Sequence, residues 1–257
     1  MSFGELFLWA LRDALLPKRL AGLAIIAAVG PALAILVRSL GSDDSGGGTY
    51  SIVMSVAVYS FALILAGILA ASTVVSGEVS GKTISFLLTR PISRPKLFLA
   101  KWLGANVSVI LAILVSCALT AFVCFGEKAI THQDFLRDVM VIPFAVTCYT
   151  ALFAMLSAIL TRPALPAVIY CFGFETWIWT IPGEFPKLSI MTYVRTLSQH
   201  AAIGDSDAAS ELLRTLNPLV ISTSTAWNTI IVLTILALTI GTFFFSRGEY
   251  VPKDETT

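Results

Sequence analysis

The residues whose order most resembles a chemical motif are Gly77-Glu-Val-Ser-Gly-Lys-Thr83. Glycines followed by Lys and Thr cradle phosphate in nucleotide-binding loops, where backbone amides and the lysine surround the anion. That motif reads G-x-x-x-x-G-K-[ST], and the stretch from Gly77 to Gly81 is one residue too short. It also follows a long apolar run rather than a strand, so nucleotide binding by this chain is not expected, and no other segment offers a site for it. Glu175 is the second candidate, the one ionisable residue well inside an apolar run. It lies 12 residues after Pro163, or about 18 Å along a helix. Arg38, at the end of an earlier apolar run, is a possible partner, and the two could latch a gate. The competing reading is a carboxylate near headgroups that pairs with any nearby base. Cys117, Cys124, Cys148 and Cys171 fall in apolar runs without metal-finger spacing and read as buried thiols. His132 and His200 are isolated in expected loops. A membrane-embedded enzyme would need polar groups converging at one depth, and Glu175 has no intramembrane His, Asp or Lys for company. No catalytic residue, cofactor site or metal site is expected.

The elements that must position these residues are membrane helices. Of 257 residues, 56% are hydrophobic and 13% are charged, against roughly 25% charged in a soluble domain. So much apolar surface needs lipid as solvent. The net charge of +1 gives no reason to expect nucleic acid. A membrane helix needs about 20 mostly apolar residues. Six segments qualify, at 20–38, 51–75, 98–125, 139–160, 163–182 and 226–246, so both termini are expected on one side. With the N-terminus inside, the inner segments and span ends hold eleven of the seventeen Lys and Arg, the bias of a cytoplasmic face. The densest part is Lys82, Arg90, Arg94 and Lys96, with Lys101 just beyond, between the second and third spans. The expected fold is all-α and polytopic, a single domain over 1–257 in the cell (inner) membrane, multi-pass, with both termini cytoplasmic.

Between the spans the chain has little room for a second domain. In residues 1–17, Phe3, Leu6, Phe7, Ala10, Leu11, Ala14 and Leu15 recur at helical steps, with Glu5, Arg12 and Asp13 mostly off that stripe. This reads as an amphipathic helix in the cytoplasmic interface, broken by Pro17. Thr161-Arg162-Pro163 is a tight inner hairpin. Residues 41–50 are a flexible outer loop, and 183–225 a long extracytoplasmic one. Its first part, 187–203, has helical content that lies on the membrane or dips into it as a cap. Asp205-Ser206-Asp207 starts a second helix, stopped at Asn217-Pro218. Ala62, Ala66 and Ala70 share one face of the second span, suited to close packing inside the chain or with a second copy.

The stretch Ser76-Gly-Glu-Val-Ser-Gly-Lys-Thr-Ile-Ser-Phe-Leu-Leu-Thr-Arg-Pro-Ile-Ser-Arg-Pro-Lys96 also carries a resemblance. Glu78, then Gly81-Lys82-Thr83, then Leu87-Leu88, then Arg90-Pro91 and Ser93-Arg94, resembles the first cytoplasmic loop of ABC-2 type permeases, the membrane subunits of ATP-driven transporters. The resemblance extends over most of the chain. It implies that the loop 76–97 is where an ATPase subunit docks, with a coupling helix at 78–89. Ile84, Leu87 and Leu88 would then enter a partner groove, and Glu78, Lys82 and Arg90 would make charged contacts at its rim. An ordinary positive-inside loop is the plainer alternative. The resemblance further implies an exporter permease that pairs with a second permease chain, and that ATP and Mg bind the partner ATPase and not this chain. A membrane anchor or assembly factor that transmits ATPase motion without moving a solute is the alternative function.

Overall fold

The computed structural model describes residues 3–40, 46–71, 74, 93–160, 162–175, 178, 184–200 and 221–247. Every regular element among them is helical. Five helices are long and apolar enough to cross a membrane. They belong to α2 (Pro17–Ser39), α3 (Gly47–Ala71), α4 (Arg94–Phe125), α5 (Gln133–Ile159) and α8 (Thr223–Arg247). Three shorter helices accompany them: α1 (Phe3–Ala14), α6 (Ala164–Glu175) and α7 (Ile190–Ser198).

Pro17 opens α2 at its first position, where a missing amide proton costs nothing. Ahead of it, α1 carries Glu5 in its first turn and Arg12 in its last, the order that suits the helix dipole. Leu6, Ala10 and Ala14 form its buried stripe, and α1 packs chiefly on α4. The crossing point is Gly104. A Cβ there would stand 2.8 Å from the Ala10 carbonyl carbon and 3.0 Å from the Leu11 amide nitrogen, so only glycine lets the two backbones touch.

α3 is the central helix. Tyr50, Val53, Met54, Val58, Tyr59, Ala62, Leu63 and Ala66 are all buried, and Ala62 and Ala66 are spent on packing within the chain. From Met54 to Leu63 its turns widen to the π type, and Ser60 bonds the Ser55 carbonyl, five residues back, at 2.7 Å. By contrast, α2 and α8 expose most of their apolar side chains, among them Ile25, Ile35, Val232, Ile235 and Phe243, as lipid-facing helices do.

A second core closes the end where α4 begins and α8 finishes, built from Phe98, Trp102, Ala151, Ala154, Ala237 and Phe245. Phe98 and Phe245 stand 5.7 Å apart. Gly241 admits Phe98 to within 2.9 Å of where a Cβ would be, with the Met155 backbone 3.2 Å away. Between α4 and α5, Asn106 bonds Thr147 at 3.2 Å and Thr150 at 3.0 Å. Asn106 thus serves as a buried tie between helices.

The segment expected at 163–182 contains α6, 12 residues long and shorter than the five spanning helices. The loop expected at 183–225 contains α7, which is buried along most of its length. The second helix expected there, from Asp205, lies outside the described residues.

Candidate functional site

Two buried carboxylates organise the bundle, Asp138 toward the end opposite the α4 start and Glu175 near mid-depth, beside Tyr149 of α5. Asp138, in the second turn of α5, is 0% exposed. Tyr50 donates to its Oδ2 at 2.7 Å and Tyr59 to its Oδ1 at 2.8 Å. His200 Nε2 lies 2.8 Å from Oδ1 and 2.9 Å from Oδ2. The geometry of α3 makes this possible. In an unbroken α-helix of about 3.6 residues per turn, Tyr50 and Tyr59 would face roughly opposite ways. The wider turns after Met54 bring Tyr59 round toward the Tyr50 side. Rings close the site around the carboxylate. Tyr50 meets Phe125 at 4.9 Å and His200 at 5.7 Å, and Phe125 stacks on His132 at 3.9 Å.

The second carboxylate is Glu175, the last residue of α6, 4% exposed. Tyr149 of α5 donates to its Oε2 at 2.6 Å. The Ile190 amide donates to Oε1 at 3.1 Å, and Tyr170 to the same oxygen at 3.4 Å. Ile190 is the first residue of α7, so the carboxylate caps orphan donors at the positive end of that helix.

The two sites hold one element between them. Glu175 fixes the start of α7 at the level of Tyr149. His200, two residues past its end, fixes the other side to Asp138. Tyr149 and Asp138 both belong to α5, so α7 runs antiparallel to the stretch of α5 from Asp138 to Tyr149. Gln199, in the left-handed conformation at φ 54°, turns the chain from the helix into His200. Arg195 adds a contact to Ser60 of α3 at 3.4 Å. Nonregular backbone this deep in a bundle survives only where protein satisfies it, and these side chains supply the partners.

The sequence-level expectations meet this geometry unevenly. Glu175 and Arg38 are not brought together. Arg38 is exposed at the end of α2 and donates to the Val123 carbonyl of α4, while Glu175 is satisfied by Tyr170 of its own helix, Tyr149 of α5 and the Ile190 amide of α7. Glu175 is also not the sole buried acid, and His200 is not isolated. Asp138 escaped notice because it stands at the border of an apolar run, where acids commonly serve helix starts. The usable signal was its position one turn beyond Asp134, which already occupies the first turn. All four cysteines are buried thiols, and none is in a disulfide.

At the opposite end, Arg94 Nη1 donates to the Ser246 carbonyl at 3.2 Å. This ties the first turn of α4 to the last turn of α8, where carbonyls lack helical partners and a cation suits the dipole. Of the residues expected in the coupling loop, Glu78, Gly81, Lys82, Thr83, Leu87, Leu88, Arg90 and Pro91 lie outside the described residues.

A family model described as ABC-2 family transporter protein covers residues 13–250. No curated protein matches the chain.

Proposed function

The chain belongs to the ABC-2 transporter family, and on that premise we propose that it is the permease subunit of an ATP-binding-cassette exporter. The family match over residues 13–250 carries the reading. In it, a separate ATPase subunit binds ATP and Mg, and this chain, paired with a second permease copy or a relative, forms the path through the bilayer.

The sixth crossing is made in two pieces. α5 ends beside the α4 start, yet His200 reaches Asp138 near the start of α5, so the chain must travel most of the bundle length between Ile159 and His200. We assign α6 and α7, joined near Glu175, to that passage. Both termini then lie on the cytoplasmic side, the reading that the Lys and Arg excess favours, and α1 lies in the interface there. Residues 76–97 couple to the ATPase. Arg94 supports this role from the structural side, since movement at the start of α4 would pass to α8 through Ser246. In turn α8 packs along α5 and against α7. The capped helix α7 is the outward gate in this scheme, held shut by Glu175 and Asp138. ATP moves such an equilibrium only by binding one state of its subunit better than the other.

Co-purification tests the coupling. Wild-type chain is expressed with the ATP-binding protein encoded nearest to it, beside a variant with Glu78 and Lys82 reversed in charge and Leu87→Ala. Retention by wild type and loss in the variant is the expected result. If wild type binds no ATPase, the permease reading fails. An ATPase that binds and is stimulated by no solute favours the anchor alternative.

A further inference from the structure

Turns of the π type take up below roughly 1% of residues in folded proteins and gather at functional sites. Two such stretches stand among the described residues, Met54–Leu63 in α3 and Ile169–Glu175 in α6. They touch each other, the Phe61 and Phe172 rings meeting edge to face with centroids 6.2 Å apart. Each also aims a tyrosine at one of the carboxylates that hold α7, Tyr59 at Asp138 and Tyr170 at Glu175. Within the first stretch, three successive side chains reach three different elements. Tyr59 donates to Asp138 of α5 at 2.8 Å, Ser60 accepts from Arg195 of α7 at 3.4 Å, and Phe61 meets α6.

We propose that the π stretch of α3 is a two-position register switch, whose relaxation to ordinary α-helix takes Tyr59 off Asp138 and loosens α7. Nine steps separate Tyr50 from Tyr59. At about 100° each in an α-helix, they set the two side chains about 180° apart, so a relaxed α3 brings only one of them to the carboxylate. Tyr50 is the one that stays, because α4 grips it. Its ring lies 4.9 Å from Phe125 and its hydroxyl 3.5 Å from the Cys117 thiol. Just ahead of it, Gly46 stands so close to α4 that a Cβ would come within 2.6 Å of the Cys124 carbonyl oxygen. Tyr50 and His200 remain on Asp138 in the second position, so no bare carboxylate results. The same relaxation swings Ser60 away from Arg195, and α7 loses its direct tie to α3. α3 ends at Ala71, five residues before the segment 76–97, so movement there reaches the wide turns along one helix. That driver, and the role of the switch in opening a gate, rest on the permease reading above; the register change does not.

Fluorine NMR of the full chain in detergent, labelled with fluorotyrosine, tests this. The Tyr59 signal is the one absent from Tyr59→Phe. Wild type should show Tyr59 in two environments that exchange by saturation transfer. Deletion of Val56, a half-buried residue of the π stretch, is the locking variant. It leaves eight α-helical steps between the two tyrosines, about 80° apart, so both can reach Asp138 with no wide turn to relax. The deletion should show one Tyr59 environment and slower amide exchange in Ile190–Ser198 than wild type. Tyr59→Phe should speed that exchange by about two- to ten-fold, and should cancel the slowing when combined with the deletion. A single Tyr59 environment in wild type would overturn the proposal. So would a folded deletion variant whose α7 exchanges as fast as in Tyr59→Phe. If the deletion does not fold, the wild-type spectrum decides alone. The assay contains no ATPase, so a failed co-purification removes the permease reading and leaves this outcome intact.

Discussion

At the scale of single residues, Asp138 concentrates more of the structure than any other side chain described. It accepts from two tyrosines on α3 and faces a histidine beyond α7, so three elements depend on one carboxylate. Asp138→Ala would leave Tyr50, Tyr59 and His200 without their buried partner. Each orphaned group costs about 1–3 kcal/mol, so a loss of at least about 3 kcal/mol is expected, read as a large fall in the melting temperature of the purified protein. A double-mutant cycle of Asp138→Asn with His200→Ala should return a coupling of about 0.5–3 kcal/mol. Additive effects would mean that the His200 contact contributes nothing. Glu175→Gln is a milder change, since an amide oxygen still accepts from Tyr149. If it serves the gate, the variant should express normally yet show altered ATPase stimulation. Transport, expression and stimulation all unchanged would remove Glu175 from the mechanism.

At the scale of elements, the contact of α1 with α4 depends on Gly104. Gly104→Val places side-chain atoms against the Ala10 backbone, which cannot move aside as a flexible side chain would. We expect about 1–3 kcal/mol of destabilisation and faster trypsin cleavage at Arg12 and Arg19 as α1 lifts away. Unchanged cleavage would mean that α1 is held by something other than this crossing. The long helices were legible from hydropathy, and their starts run a few residues earlier than the apolar runs. Gln133, Asp134 and Arg137 explain this for α5, because polar first turns lie outside an apolar window. The same masking hid Asp138. α7 was legible only as helical content, for a related reason. Hydropathy detects surface that faces lipid, whereas Thr192 and Ser198 face protein and are satisfied there. The pairing of Asp138 with His200 joins residues 62 positions apart, and no local pattern announces it. Arg38 and Glu175 looked like partners because opposite charges at one depth suggest attraction. Neutral donors closer to Glu175 met its needs first.

At the scale of the whole molecule, the sidedness is open to direct test. On a background with the four buried cysteines replaced, Ser2→Cys and Thr256→Cys should resist an impermeant thiol reagent in intact cells and react after permeabilisation. Asp44→Cys should react without it. The reverse pattern would invert the proposed orientation, and labelling of only one terminus in intact cells would exclude an even number of crossings. The close approach of α1 to Gly104 also has a consequence in time. Ala10 leaves the ribosome about 90 residues ahead of its contact, and synthesis at roughly 5–20 residues per second makes that an interval of roughly 5–20 s. Throughout it α1 lacks the α4 surface on which it chiefly packs, and the bilayer and the start of α2, through Asp13 and Arg19, must hold it. α1 therefore completes its packing late, after α2, α3 and the start of α4 have emerged. Nascent-chain cross-linking between the α1 stripe and α4 should appear only after the chain has grown well past Gly104.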